Sequence, residues 1–226
     1  NVLRPHWDFQ QQLDIARLAL PLGFVMLLIA LNGNMGRYFV ERYLGERDLG
    51  IFSAMAYPMV AGAAFSTALS SSAAPRLSKL YAEGNLKRFR PLLARLLGIS
   101  TLMAFGGVLA ALFAGRETLS ILYRPEYAER ADVFVLLMIA SGFASIATVL
   151  NYSMTATRCL RVQMPLYALI SVILALSSFA LMPRLGLRVA EIAQFIAMAV
   201  QAMGSLVLVL RALHRPPVAM IQPLEN

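Results

Sequence analysis

The sequence predicts an all-α membrane protein built as a bundle of six transmembrane helices. Three observations carry this prediction. The chain has 226 residues, of which 59% are hydrophobic and only 14% charged, with a mean hydropathy of +0.66. A soluble domain carries about 25% charged residues, so this chain has more apolar surface than one water-soluble core can bury. Second, six windows are free of charge: Leu18–Gly36, Leu49–Pro75, Leu96–Gly115, Val133–Thr157, Val162–Pro183 and Ile192–Leu210. Each is close to or above the roughly 18 residues expected of a spanning helix. Third, the period-2 alternation of a membrane barrel is absent. With interfacial flanks the spans run over about 13–36, 49–75, 92–115, 131–157, 162–183 and 190–211, in one lobe covering residues 1–226.

Residues 1–17 are polar, with Trp7 and Arg17 suited to an interface. The first span holds Pro21 and Gly23 early and Asn32, Gly33, Asn34 and Gly36 late. Its two amides are costly in lipid unless they face protein or water. Arg37, Tyr38, Phe39, Arg42 and Tyr43 continue into an interfacial collar, and Gly45 and Gly50 bracket a turn of sequence ERDL. The second span contains Pro58, which removes a helix hydrogen bond and predicts a kink. From Ala61 to Ala74 every residue except Phe65 and Leu69 is Ala, Gly, Ser or Thr. That face can admit another backbone at close range or border a wet cavity.

After Pro75 the segment RLSKLYAEGNLKRFRPLLAR is basic and amphipathic. It reads as a solvated loop with a surface helix at an anionic leaflet, or as a binding site for a lipid phosphate. The third span carries Gly106–Gly107, a packing feature, and is followed by the short amphipathic piece ETLSILYRPEYAERAD, broken by Pro125. The fourth span ends in a polar cluster of Asn151, Tyr152, Ser153, Thr155 and Thr157, and the fifth opens with Gln163 and Pro165. The sixth carries Gln194 and Gln201, seven apart and therefore on one helix face.

Six spans put both termini on one side. The N-terminal segment, the 76–95 loop, the 158–161 turn and the tail together carry twelve cations and four acids; the opposite side carries eight of each. The whole net charge of +8 thus falls on one side, which the positive-inside rule makes cytoplasmic. A basic total in a soluble domain would point to nucleic acid; here charge sidedness accounts for it, and no nucleic-acid partner is expected. No signal peptide is read, and the start at Asn1 raises the possibility of a piece of a longer protein.

Much chemistry is missing. No acid lies inside the six windows, which leaves no intramembrane proton relay in this chain. There is no acid-rich Mg²⁺ motif and no Gly-rich phosphate loop. Cys159 is the single cysteine, so neither a disulfide within the chain nor a Cys-cluster metal site can form. No metal, cofactor or catalytic residue is expected, and the chain is read as a non-enzyme. A polar set remains inside an apolar frame: Asn32, Asn34, Arg37, Asn151, Gln163, Gln194 and Gln201. Such residues either bond helix to helix, at about 0.6–2 kcal/mol per contact, or wall a hydrated path for a polar substrate.

The stretch PLGFVMLLIALNGNMGRYFVERYLGERDLGIFSAMAYPM resembles the start of the second half of bacterial polysaccharide and O-antigen lipid flippases, within the multidrug/oligosaccharidyl-lipid/polysaccharide exporter superfamily. The matching marks are Pro21, Arg37, Leu44–Gly45 and Leu49–Gly50–Ile51–Phe52, then the exit Pro75-Arg76-Leu77-Ser78-Lys79-Leu80-Tyr81-Ala82-Glu83-Gly84 and the outer element Leu122-Tyr123-Arg124-Pro125-Glu126-Tyr127. The small, polar turn that ends in Gln163 also fits, and the likeness covers about residues 13–212. The order and spacing of these motifs carry the resemblance. It implies one lobe, the C-terminal half, of a two-lobe transporter whose N-terminal six-helix lobe is a partner. The implied activity is flipping of a polyprenyl-pyrophosphate-linked oligosaccharide across the bacterial inner membrane for O-antigen, capsule or exopolysaccharide export. Arg37 would contact phosphate or glycan, with Asn32, Asn34, Asn151 and Gln163 as cavity hydrogen-bonders, and membrane lipids would surround the lobe. Rival readings are a multidrug antiporter of the same superfamily, a membrane-embedded polymerase or ligase of glycan assembly, and a non-transporting scaffold.

Overall fold

The computed structural model describes residues 9–122, 131–157, 160–185 and 187–214. Among them are six long helices: α1 (Phe9–Leu44), α2 (Glu46–Ala82), α3 (Leu86–Leu122), α4 (Ala131–Ala156), α5 (Leu160–Leu185) and α6 (Leu187–His214), and no strand. At 1.5 Å per residue the 37-residue α2 and α3 are each about 55 Å long, well beyond the ~30 Å hydrocarbon thickness of a bilayer. Five of the helices, α2 to α6, are long and apolar enough to cross a membrane. The sixth crossing, expected of α1, rests on the charge-free run Leu18–Gly36 alone.

α4 is the hub. Of its apolar window 56% is buried inside the protein, against 22% for α2 and 17% for α3. It packs along α2, α3 and α6, while α1 packs on α5 and α5 on α6. The bundle therefore has two halves, α2–α3–α4 and α1–α5–α6, joined by the α4–α6 contact and by α1 against α2. Three buried clusters hold the bundle. One is built on Phe52, Met55, Leu119, Phe134 and Leu137 with Val40 of α1, a second on Leu77, Phe89, Leu150 and Met154 with Val209 and Leu213 of α6, and the third, within the α1–α5–α6 half, gathers Val25, Leu28, Tyr167, Ile170 and Leu174.

Two connections are tighter than the sequence predicts. The expected ERDL turn is the first turn of α2: only Gly45 lies between α1 and α2, at φ +86°. Glu46 and Asp48 place acids at the positive end of the helix dipole, which favours helix there. The expected 76–95 loop is a correction of a larger kind. α2 runs on through Pro58 and Pro75 to Ala82, and α3 starts at Leu86 and takes in Pro91. Only Glu83, Gly84 and Asn85 separate them, with Gly84 at φ +66° and Asn85 Oδ1 accepting the Arg88 N–H as a cap. The reason is packing. Leu77, Leu80, Phe89 and Leu93 form apolar stripes at helical spacing that close on Val149, Leu150 and Met154 of α4 and Val209 and Leu213 of α6. One hydrogen bond lost at Pro75 does not outweigh that burial. Likewise, Glu117–Leu122 of the expected outer amphipathic piece continue α3; Pro125, Trp7, the turn at Arg158–Cys159 and the C-terminal tail lie outside the described residues.

Candidate functional site

A cavity of about 200 Å³ lies where the two halves meet. α1 lends it Gly33, Gly36 and Arg37, α2 the small and apolar face containing Ala56 and Ala63, α4 Ser141, and α6 Gln194. Both α1 glycines lie within about one turn of Arg37. A Cβ on Gly36 would stand 3.7 Å from the Phe52 ring and 3.8 Å from Gln194 Oε1, so the α1 backbone approaches α2 and α6 closely there.

Arg37 is half-buried. Its Nη1 donates to Asn34 Oδ1 at 3.4 Å, and Asn34 Nδ2 donates to the Ala30 carbonyl at 2.9 Å. The (i, i+3) spacing puts both side chains on one face. Asn34 thus turns its oxygen toward the guanidinium and holds it by hydrogen bonding without neutralising its charge. Among the described residues Arg37 forms no ion pair.

The other expected site residues are placed elsewhere. Asn32 is buried one to two turns from Arg37 and points the other way around α1, donating Nδ2 to the Tyr167 carbonyl of α5 at 3.5 Å; its Oδ1 has no partner among the described residues. Tyr167 in turn accepts a hydrogen bond from Gln201 Nε2 of α6 at 3.2 Å. These three side chains staple α1, α5 and α6 inside their own half. Gln163 is fully buried and donates Nε2 to both the side-chain oxygen (3.3 Å) and the carbonyl (3.4 Å) of Asn151, tying α5 to α4. The five residues therefore fall into three groups: Asn34 with Arg37, Asn151 with Gln163, and Asn32 apart. Of the five, Arg37 lines the cavity; the other four are not among its lining residues.

Sequence reasoning missed Ser141 and Tyr167. Ser141 lines this cavity and a second one of about 370 Å³ between α2, α3 and α4, so it stands in the wall between them. Nothing in its sequence setting marked it. Tyr167 did leave a signal: a tyrosine inside an apolar span needs a partner for its hydroxyl, and Gln201 was already a candidate. Among the described residues no group of three or more His, Cys, Asp or Glu could hold a metal ion.

The chain is 30% identical, over 189 residues, to the capsular polysaccharide biosynthesis protein CapF of Staphylococcus aureus. The match covers 82% of this chain and 48% of that protein, so the chain spans about half the length of the curated relative it matches. No family model matches the chain, and no solved structure does. These findings make the chain similar to a polysaccharide-biosynthesis protein, in keeping with its membrane-type helices.

Proposed function

We propose that this chain is one six-span lobe of a two-lobe transporter that flips a polyprenyl-pyrophosphate-linked oligosaccharide across a bacterial inner membrane, for assembly of a surface polysaccharide. α1 supplies the sixth crossing, both ends of the described chain face the cytoplasm, and the second lobe supplies the rest of the path. The observation that carries this reading is Arg37: a guanidinium with no ion pair among the described residues, oriented by Asn34, in the wall of a cavity between the two halves. Such a cation, lining a cavity with Gln194 and Ser141, suits an anionic group attached to something polar. The similarity to a capsular polysaccharide biosynthesis protein supports a glycan as that polar part.

The lobe acts as a carrier, not a catalyst. Phosphate oxygens meet Arg37, sugar hydroxyls meet amide and hydroxyl groups, and the prenyl chain stays in lipid. Motion of one lobe against the other exposes the path alternately to each side. The test is complementation of a flippase-deficient strain with the full-length protein. Arg37→Ala is expected to reduce export at least tenfold and Arg37→Lys to retain part of it, since lysine keeps the charge but not the fork geometry. Undiminished export by Arg37→Ala, with normal protein levels, overturns the assignment.

A further inference from the structure

The α2–α3 hairpin is the feature that this reading leaves unused. Arg76, Lys79, Lys87, Arg88, Arg90 and Arg95 are all exposed on it, and Glu83 is the one acid between Leu49 and Leu96. Three of the six have ordinary explanations. Arg76 and Arg95 directly flank the charge-free runs that end at Pro75 and begin at Leu96, at the level of lipid phosphates. Lys79 sits in the last turn of α2, where a cation suits the helix dipole, and lies 3.9 Å from Glu83.

Lys87, Arg88 and Arg90 share in the charge sidedness of this side, but their local setting on the helix opposes them. They occupy the first turns of α3, where cations oppose the helix dipole and where no acid is present to offset them. At 1.5 Å per residue they lie about 9–14 Å along α3 from Leu96, where the charge-free run begins. They are not on a floppy loop. Phe89, between them, is fully buried, meets Tyr81 edge-on at 6.1 Å between ring centroids, and anchors the hairpin to α4 and α6. The result is a fixed cationic edge on the hairpin, beyond the ends of the charge-free runs of α2 and α3.

We infer that Lys87, Arg88 and Arg90 form a contact surface for acidic sugar units, carboxylated or phosphorylated, of a membrane-anchored glycan on the cytoplasmic side. The inference rests on the proposed transport function for its substrate, and it sharpens that substrate to an anionic glycan. A clustered positive surface raises the local concentration of such a ligand and speeds its capture, in a manner that salt suppresses.

Binding separates this inference from the transport reading. The full-length purified protein is titrated with oligogalacturonate and with its carboxyl-reduced, neutral counterpart at low and high salt, in neutral detergent that excludes lipid headgroups as the anion. The wild type is expected to bind the acidic oligomer, to lose that binding at high salt, and to ignore the neutral one. The triple variant Lys87→Gln, Arg88→Gln, Arg90→Gln is expected to bind about tenfold more weakly, with an unchanged melting temperature because all three side chains are exposed. The charge-conserving triple Lys87→Arg, Arg88→Lys, Arg90→Lys is expected to bind as the wild type does. Absence of binding, equal binding of the neutral oligomer, or an unweakened glutamine triple overturns the inference. Flipping of a labelled lipid-linked oligosaccharide in liposomes is scored separately: failure there with binding intact removes the transport reading and leaves the surface standing.

Discussion

Gly142 and Gly204 look alike in the sequence, each a lone glycine inside an apolar span, and the structure gives them different tolerances. A Cβ on Gly142 would stand 2.9 Å from the Ala104 Cβ, an atom that moves only with the α3 backbone. A Cβ on Gly204 would stand 2.7 Å from Leu166 Cδ1, the end of a flexible side chain. Gly142→Ala is therefore expected to destabilise the protein by about 1–3 kcal/mol. Gly204→Ala is expected to be near neutral, because the helix gains about 0.5–1 kcal/mol on replacing glycine. Thermal melts of the two variants in detergent check the contrast. The Asn151–Gln163 pair belongs to the same scale. Gln163→Leu is expected to cost about 0.6–2 kcal/mol, and a double-mutant cycle with Asn151→Ala should show coupling between the two positions. Export in the Gln163→Leu variant should fall only with its protein level, since Gln163 joins two helices and does not line the Arg37 cavity. What was legible here was chemical type: amides in lipid need partners. Which partner was not legible, because Asn32 and Tyr167 are 135 residues apart and only the bundle brings them together.

At the scale of elements, the charge-free windows located every helix core, and the ends were misplaced in a systematic way. Charge marks where lipid stops, and helices here do not stop with it. Arg37 to Arg42, and the stretches from Arg76 to Lys79 and from Lys87 to Arg95, are helical because an apolar stripe continues beneath the charges. Pro75 misled for a related reason. Pro58 and Pro75 each delete one hydrogen bond from a helix whose side chains remain committed to α4. The hairpin turn supplies a sharp test. Gly84, at φ +66°, occupies a region where an L-residue costs about 1–2 kcal/mol, more for a β-branched one. Gly84→Val is expected to lower the melting temperature and to expose the buried Phe89, whereas Asn85→Ala, which removes the cap bond to Arg88, should cost about 1 kcal/mol.

For the whole molecule, the decisive quantity is sidedness. Five helices qualify as spans by length and hydropathy, and the proposal adds α1 as a sixth. The chain's single native cysteine makes the check simple. In a Cys159→Ser background, single cysteines at Lys87 and at Glu46 are expected to react with a membrane-impermeant reagent from opposite sides of the cell membrane. A cysteine at Gln12, ahead of the first charge-free window, is expected to react from the same side as Lys87. Reaction of Gln12 and Glu46 from one side would show that α1 does not cross. The sequence made the all-helical membrane class plain through its composition, its long charge-free runs and the lack of period-2 alternation. It could not show that α4 is the hub, since α4 is only one apolar run among six until its neighbours on every side are known.

That arrangement sets an order of events during synthesis. α1 is made before the other five described helices, and its main packing partner, α5, begins at Leu160, 116 residues after α1 ends at Leu44. At translation rates of ~5–20 residues per second, α1 waits between roughly 6 and 23 s for that partner. Through that interval the Asn32 amide, stapled to Tyr167 in the finished fold, has to be housed by something else, whether water at the membrane edge or the insertion machinery itself. The newborn chain is thus at its most vulnerable before α5 arrives, and its quality control is a matter of timing as much as of final stability.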